Sequence, residues 1–200
     1  MSEVVIQMSM SLDGYIAGPN DSDLNGLGDG GERLHQWMFG GSGGGPGEGI
    51  SGVDKEVLDE LRSESGAMIS GRRLYDITHG WNGSHPLGGI PVFVVSHHIP
   101  RAVPSGTTAF TFVTDGIAAA VARAKEAAGE KNVYVIGGAS IDQQLLAAGL
   151  VDELRIDIVP ILLGGGIQLF ERSRQAPIGL VQTQVRPSKD VTHLRYRVPR

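Results

Sequence analysis

The sequence predicts an α/β fold built on a largely parallel central sheet. Short apolar runs rich in β-branched residues recur along the chain, helical periods lie between them, and the last two runs are joined by a short polar turn. Strands that alternate with helices pair in parallel through crossovers, whereas strands joined by a few residues run antiparallel. The closing hairpin therefore adds antiparallel strands at one edge. Two hundred residues suffice for one domain with its own core, and 1–200 reads as a single domain interrupted by a Gly-rich loop at 40–52.

The first strand is "VVIQMSMS", Val4 to Ser11, in which apolar and polar side chains alternate before "LDG" turns the chain. From Asn20 to Gly52 glycine is dense, culminating in "GGSGGGPGEG" at 40–49. That decamer lacks the Gly-Lys-Ser/Thr ending of a nucleotide-triphosphate loop and follows no strand, so it reads as a loop rather than a phosphate cradle. Inside the region, "ERLHQWMF" (32–39) makes two helical turns that present Leu34, Trp37 and Met38 to one side. The apolar period at 53, 57, 58 and 61 predicts a helix closed by Gly66.

"AMIS" follows as a short strand, "GRRLYDIT" opens a helix, and "PVFVVSHH" and "FTFVT" are further strands. Asp115 is placed to cap the helix "GIAAAVARAKEAAG", which Gly129 closes. "VYVIGGAS" (133–140) then runs as a strand into two glycines and a helix from Ser140 to Ala148, followed by the strand "DELRIDIVP". The last two strands, around Gly179 to Arg186 and Val191 to Val198, are joined by "PSKD".

With Lys+Arg 17 against Asp+Glu 22 and a net charge of −5, the chain lacks the basic balance of a general nucleic-acid or acidic-membrane binder. No apolar run is long enough to cross a bilayer and "MSEVVIQMSM" is no signal segment, so a cytoplasmic protein is expected. The absence of cysteine removes disulfides, thiolate nucleophiles and Cys-ligated zinc. No metal site is expected, because no HxxxH or HxE spacing occurs and adjacent strand residues face opposite sides. A nucleophile elbow and the G-x-G-x-x-G dinucleotide fingerprint are also missing.

In open α/β sheets ligands bind beyond the carboxyl ends of the parallel strands. "SLDGYIAG", "SGRRLYD", "SHH" and "GGAS" all follow strands directly. Two glycines before a helix make a tight turn, or they leave backbone N–H groups open to an anion. Arg72 and Arg73 open a helix, where cations are mildly unfavourable unless an anion lies beside them. They equally suit solvent or a nearby carboxylate. Ser96, His97 and His98 can hydrogen-bond a phosphate or an adenine edge, or equally lie at the surface, and Asp13 before Gly14 suits a turn.

Taken in order, "SLDGYIAG", "GRRLYD", "PVFVVSHH", "VYVIGGASIDQQLLAAGLVDEL" and "IVPILLGGGIQLF" resemble the dihydrofolate-reductase-like fold, in the branch formed by the RibD C-terminal reductase domain of riboflavin biosynthesis and its stand-alone relatives. The resemblance implies a three-layer domain with helices on both faces of the sheet. It implies an NADPH-dependent reductase of a small carbonyl- or imine-bearing heterocycle, pyrimidine-like or pterin-like, and a homodimer. Gly137, Gly138, Ala139 and Ser140 would meet the cofactor pyrophosphate, Gly71, Arg72 and Arg73 would hold phosphate, and Ser96 with His97 would lie by the 2′-phosphate. On the substrate side it implies Asp13 as proton source or polar anchor, with Trp37, Gly164 and Gly165 beside it. The zinc deaminase half of the bifunctional riboflavin enzyme is absent. No arginine precedes "VFVVS" as in folate reductases, and Glu32 is the acid nearest the place of theirs. A nucleotide-binding protein without turnover and a dihydrofolate reductase proper are the alternative readings.

Overall fold

A computed structural model of the chain describes residues 2–40, 46–170 and 177–199. The five residues 41–45 of the expected Gly-rich loop lie outside them. The chain forms two compact units, one of residues 1–6 and 64–152, the other of residues 7–63 and 153–200.

The first unit is held by short parallel strands, of which the inner ones carry continuous apolar runs. β3 (Ser65–Gly71), β4 (Val92–Val95), β5 (Phe110–Val113) and β6 (Asn132–Val135) join the start of β1 (Val4–Ser11) in the order β5-β4-β3-β6-β1, and the pairings are parallel. Val4, Val5 and Ile6 pair with Val133, Tyr134 and Val135, and all six are fully buried. A strand covered on both faces needs such a run.

α3 (Arg72–Ile77) carries the chain from β3 to β4, and α4 (Ile117–Ala128) carries it back from β5 to β6 on the far side of β3. Right-handed crossovers running in opposite directions put these helices on opposite faces. α5 (Ala139–Ala147) follows β6 at once. Several boundaries differ from the sequence reading: β3 is longer than "AMIS" at both ends, and Gly66 lies inside it, because the preceding helix already ends at Glu64. Gly116, not Asp115, is the N-cap of α4, with no side-chain cap, because the Asp115 carboxylate is drawn to Arg123 Nη2 at 2.6 Å. α5 begins one residue earlier than expected.

In the second unit the sheet order is β1-β7-β10-β9, with β7 (Glu153–Val159), β9 (Val181–Pro187) and β10 (Thr192–Arg197). The hairpin strands are antiparallel as expected, shifted by one or two residues. The alternation in the later part of β1 is inverted relative to the usual rule. Ser9 and Ser11 are buried while Met8 and Met10 are half-buried, because the serines hydrogen-bond inward. The "ERLHQWMF" helix is a 3₁₀ turn, Gly31–His35, leading into a single turn, α1 (Gln36–Phe39). α2 (Gly52–Glu64) follows, and its Glu56 and Glu60 pair with Arg186 on β9 at 3.1 and 2.9 Å.

A small antiparallel pair, β2 (Tyr15–Ala17) with β8 (Ile167–Gln168), was not foreseen. Gly166 admits it: a Cβ there would lie 2.1 Å from the Ala17 carbonyl oxygen, and its φ of 118° is unfavourable for any other residue.

Asp142 on α5 is fully buried, and neither carboxyl oxygen has a hydrogen-bond partner among the described residues. Burial pushes its pKa well above the ordinary 3.8. Above that ordinary value the unfolded chain ionises while the folded chain stays protonated, so stability is lost as pH rises toward the folded value. Asp142→Asn cannot ionise. Denaturant unfolding should find it more stable than wild type by about 1.4 kcal/mol for each pH unit climbed through that window, with no ionisation gain at lower pH. A stability difference that does not change with pH would contradict the buried, protonated carboxyl.

Candidate functional site

The carboxyl ends of β4, β3 and β6 are neighbours in the first unit, and the chain leaves β3 and β6 in opposite directions. It passes from β3 through α3 to β4 on one side, and from β6 into α5 on the way to β7. Adjacent parallel strands whose continuations diverge leave a crevice at their carboxyl ends, the usual ligand position in open α/β sheets.

The two glycine turns meet there. The Gly71 N–H donates to the Gly137 carbonyl oxygen at 2.7 Å, and a Cβ on Gly71 would lie 3.0 Å from Ile141 Cγ1. Gly137 takes the positive φ, 130°, whereas Gly138 has φ −107° and ψ −174°, an extended conformation open to other residues. The peptide bond between them is cis. Gly138 is the N-cap of α5, no side chain caps that helix, and the position a Cβ would take on Gly138 has nothing within 4 Å. The first N–H groups of a helix lack intrahelical partners, so a bare N-cap beside open space fits an anion such as a pyrophosphate. Ala139 is buried, whereas Ser140 is exposed and accepts from Gln144 Nε2 at 3.1 Å.

Arg72 is already engaged. Its Nε donates to both Asp76 oxygens at 2.8 and 2.9 Å, and Nη1 donates to Ser96 Oγ at 3.2 Å and to the His98 carbonyl oxygen at 2.9 Å. Ser96 Oγ in turn donates to the His98 carbonyl oxygen at 2.7 Å. Arg72 thus ties the turn after β4 to the start of α3. The Asp76 pair is half-exposed and of the class worth about 0–1 kcal/mol, which leaves it open to competition by a stronger anion. Arg73 and His97 are exposed beside this network.

Asp13, Trp37, Gly164 and Gly165, expected on the substrate side, belong to the second unit, where two motifs 150 residues apart close on one carboxylate. Asp13 Oδ1 accepts from Ser11 Oγ at 2.6 Å and from the Leu163 N–H at 3.1 Å, and Oδ2 accepts from the Gly164 N–H at 2.8 Å. The Ser11 hydroxyl, followed by the Gly164 and Leu163 amides, outweighs the cost of burial and holds Asp13 below the ordinary carboxylate value. A carboxyl so held is a fixed acceptor, so the geometry fits the polar anchor of the two expected roles and not the proton source. Gly164 and Gly165 have open space at their Cβ positions.

Trp37 is only 6% exposed, and its indole N–H donates to Ser9 Oγ at 3.0 Å, an interior packing position. Sequence reasoning missed what it packs against. His193 lies edge-on to its ring at 4.9 Å and hydrogen-bonds Asp157 and Asp54.

A largely parallel sheet with helices packed on it and glycine turns diverging at its switch point defines an α/β protein of the dihydrofolate-reductase-like fold class. The family model of the RibD C-terminal domain matches residues 2–193, and the chain belongs to that family. A 60-residue stretch is 37% identical to the uncharacterized protein YwjB of Bacillus subtilis (strain 168), covering 30% of this chain and 34% of that relative, about a third of its length. Among solved structures, the chain resembles a protein assigned to riboflavin biosynthesis from Shewanella sp. PV-4, with TM-score 0.72 and 24% identity over 99% of both chains. It also resembles dihydrofolate reductase from Enterococcus faecalis complexed with NADP(H), with TM-score 0.61 and 10% identity over 98% of this chain and 96% of that one. At these identities the structural likeness is one of fold. Among the described residues no helix is long and apolar enough to cross a membrane.

Ser11→Ala removes the shortest of the hydrogen bonds to Asp13. The Asp13 pKa should climb back toward its ordinary value while the fold persists, as followed by side-chain carboxyl NMR. An unchanged Asp13 titration would mean that Ser11 does not set its charge state.

Proposed function

We propose that the chain is an NADPH-dependent reductase that delivers hydride to a small carbonyl- or imine-bearing heterocycle of the pyrimidine or pterin kind. The observation that carries this reading is the meeting of Gly71 with Gly137 and the bare N-cap of α5 at the switch point of the first unit. Membership of the RibD C-terminal family and the fold shared with a reductase complexed with NADP(H) support it.

When bound, the nicotinamide supplies the hydride. The Gly138–Ser140 backbone would take the pyrophosphate through first-turn N–H groups. Arg73, His97 and the Arg72–Ser96 network would take the 2′-phosphate by charge-assisted hydrogen bonds, each worth about 1.5–3 kcal/mol. Asp13, held as a carboxylate, would accept a hydrogen bond from a substrate N–H and orient the ring, with Gly164 and Gly165 leaving room beside it. The proton that completes the reduction would then come from water or another group. One working domain over the whole chain, a cytoplasmic setting and a homodimer complete the reading. The homodimer is supported by the uncharged stretch 177–185 along edge strand β9, where Ile178, Leu180, Val181 and Val185 are exposed.

Gly138→Val places a branched side chain in space the protein leaves open, so the fold should survive while NADPH affinity is lost. Isothermal titration reads the affinity and thermal unfolding the fold. A folded variant that binds NADPH as tightly as wild type would return Gly137 and Gly138 to the rank of an ordinary turn. Wild type should also oxidise NADPH steadily with a suitable heterocycle. Binding without turnover on a panel of pyrimidines, pterins and folates would favour a nucleotide-binding protein instead.

Asp13→Asn keeps an oxygen acceptor and the turn before Gly14 but removes the charge. Turnover should fall while NADPH affinity holds. The loss should be smaller than the roughly 10²–10⁴-fold typical of a general acid–base group, because the residue orients and does not transfer a proton. Wild-type turnover in this variant would leave Asp13 a turn residue only.

A further inference from the structure

His193 occupies a position in the second unit that the reductase reading does not use. It is 3% exposed, it pairs in register with Asp157 of β7, and its ring lies between two carboxylates. Nδ1 is 2.6 Å from Asp157 Oδ1, and Nε2 is 3.0 Å from Asp54 Oδ1 in the first turn of α2. The charged and polar groups around it come from every neighbouring element. β1 contributes Gln7, whose amide donates to Asp157 Oδ2 at 2.5 Å, and α1 contributes the edge-on Trp37. β10 contributes Arg195, which pairs with Glu60 of α2, and β9 contributes Arg186, which pairs with Glu56 and Glu60.

An imidazolium has two N–H donors and satisfies both carboxylates. A neutral imidazole has one donor and one lone pair, so it can satisfy only one and must face the other carboxylate with a lone pair. Asp157 is 2% exposed and cannot turn to water, so the remaining N–H stays with it. Asp54 is the partner that can leave. Its side chain is 18% exposed, and its charge is favoured in the first turn of a helix without His193. Gly52, at the start of α2, has φ 65° with nothing within 4 Å of its Cβ position, room for that turn to move. Farther along α2, Glu56 and Glu60 are held by the guanidinium groups of Arg186 and Arg195.

We propose that His193 is a proton-operated latch on the first turn of α2: protonated, it ties Asp54 to the sheet strand that carries Asp157, and deprotonated, it releases that turn while Glu56 and Glu60 keep the rest of the helix docked. Burial alone would pull His193 down, but the hydrogen bond and charge of Asp157, and then of Asp54, outweigh it and raise its pKa above the ordinary 6.5. Burial raises Asp157 and His193 opposes that rise, so the two titrate as a pair. A folded pKa above the unfolded one means that the latch is fully engaged below 6.5 and is lost as pH rises through the folded value. The latch is closed at the acid side of neutrality and opens on the alkaline side.

Amide hydrogen exchange of the full chain from about pH 6 to about pH 9 tests this, with rates corrected for intrinsic exchange and the His193 ring followed by NMR. The informative amides are those of Glu56 and Val57, whose helical hydrogen bonds run back to the carbonyls of the first turn at Gly52 and Val53. Their protection should fall by up to about tenfold per pH unit once His193 loses its proton, while amides in the last turn of α2 keep theirs. Asp54→Asn supplies an amide that donates to the neutral ring, so protection of Glu56 and Val57 should become independent of pH. His193→Gln should do the same. If that variant does not fold, Asp54→Asn decides on its own, because Asp54 is partly exposed. Flat wild-type protection while His193 titrates, or an unchanged pH dependence in Asp54→Asn, would overturn the latch.

Discussion

One backbone hydrogen bond fixes the geometry on which the cofactor reading depends: the Gly71 N–H donates to the Gly137 carbonyl oxygen at 2.7 Å. It joins the carboxyl ends of β3 and β6, the neighbouring strands whose continuations diverge. The bond also sets how close the two turns come. With Gly137 O and Gly138 N each within 4 Å of the Gly71 Cβ position, a side chain at 71 would press on the very turn that starts α5. The approach itself requires glycine at 71, and the φ of 130° favours it at 137, both just beyond the parallel pairing of Ile69 with Val135. Such a place offers main-chain donors and the positive end of a helix without a capping residue to compete.

The second unit is organised by a different constraint, the satisfaction of carboxylates by donors from other parts of the chain. Asp13 draws the Leu163–Gly164 turn onto the end of β1, and Asp157 draws in Gln7 and His193. In both cases the acceptor is fixed by donors far away in sequence. Asp157 is buried, and buried charge costs stability unless it is fully paired, so its contacts are costly to lose and hold their surroundings in one arrangement. The two carboxylates differ in what their environments do to them. Asp13, hydrogen-bonded to a hydroxyl and two amides, is held ionised, while Asp157 is pushed the other way by burial and depends on the imidazole beside it.

The parallel strands and their order along the chain were legible because buried strands leave continuous apolar runs, as in Val133–Val135. The glycine pair was legible for the same reason, since nothing else ends such a run so abruptly. What stayed hidden lacks a local signature. β2 and β8 are three and two residues long, too short to show a period. Asp157 and Asp54 stand 36 and 139 residues from His193, so no window contains the cluster. The sequence shows the alternation in β1 but not which side faces inward, because serines bound to Trp37 and Asp13 are as well accommodated inside as apolar groups. The arginines were recognised at a helix start, but only the structure shows Arg72 clasping Asp76, Ser96 and the His98 carbonyl.

The central claim is that the diverging ends of β3 and β6 receive a dinucleotide, and backbone amide chemical-shift mapping of the wild-type chain titrated with NADPH tests it most directly. Saturable shifts are expected at Gly71, Gly138, Ala139 and Ser140, with further shifts at Arg73 and His97 that weaken when NADH replaces NADPH. Saturable binding that leaves the amides of residues 71 and 137–140 unmoved, or no binding at all, would contradict the account.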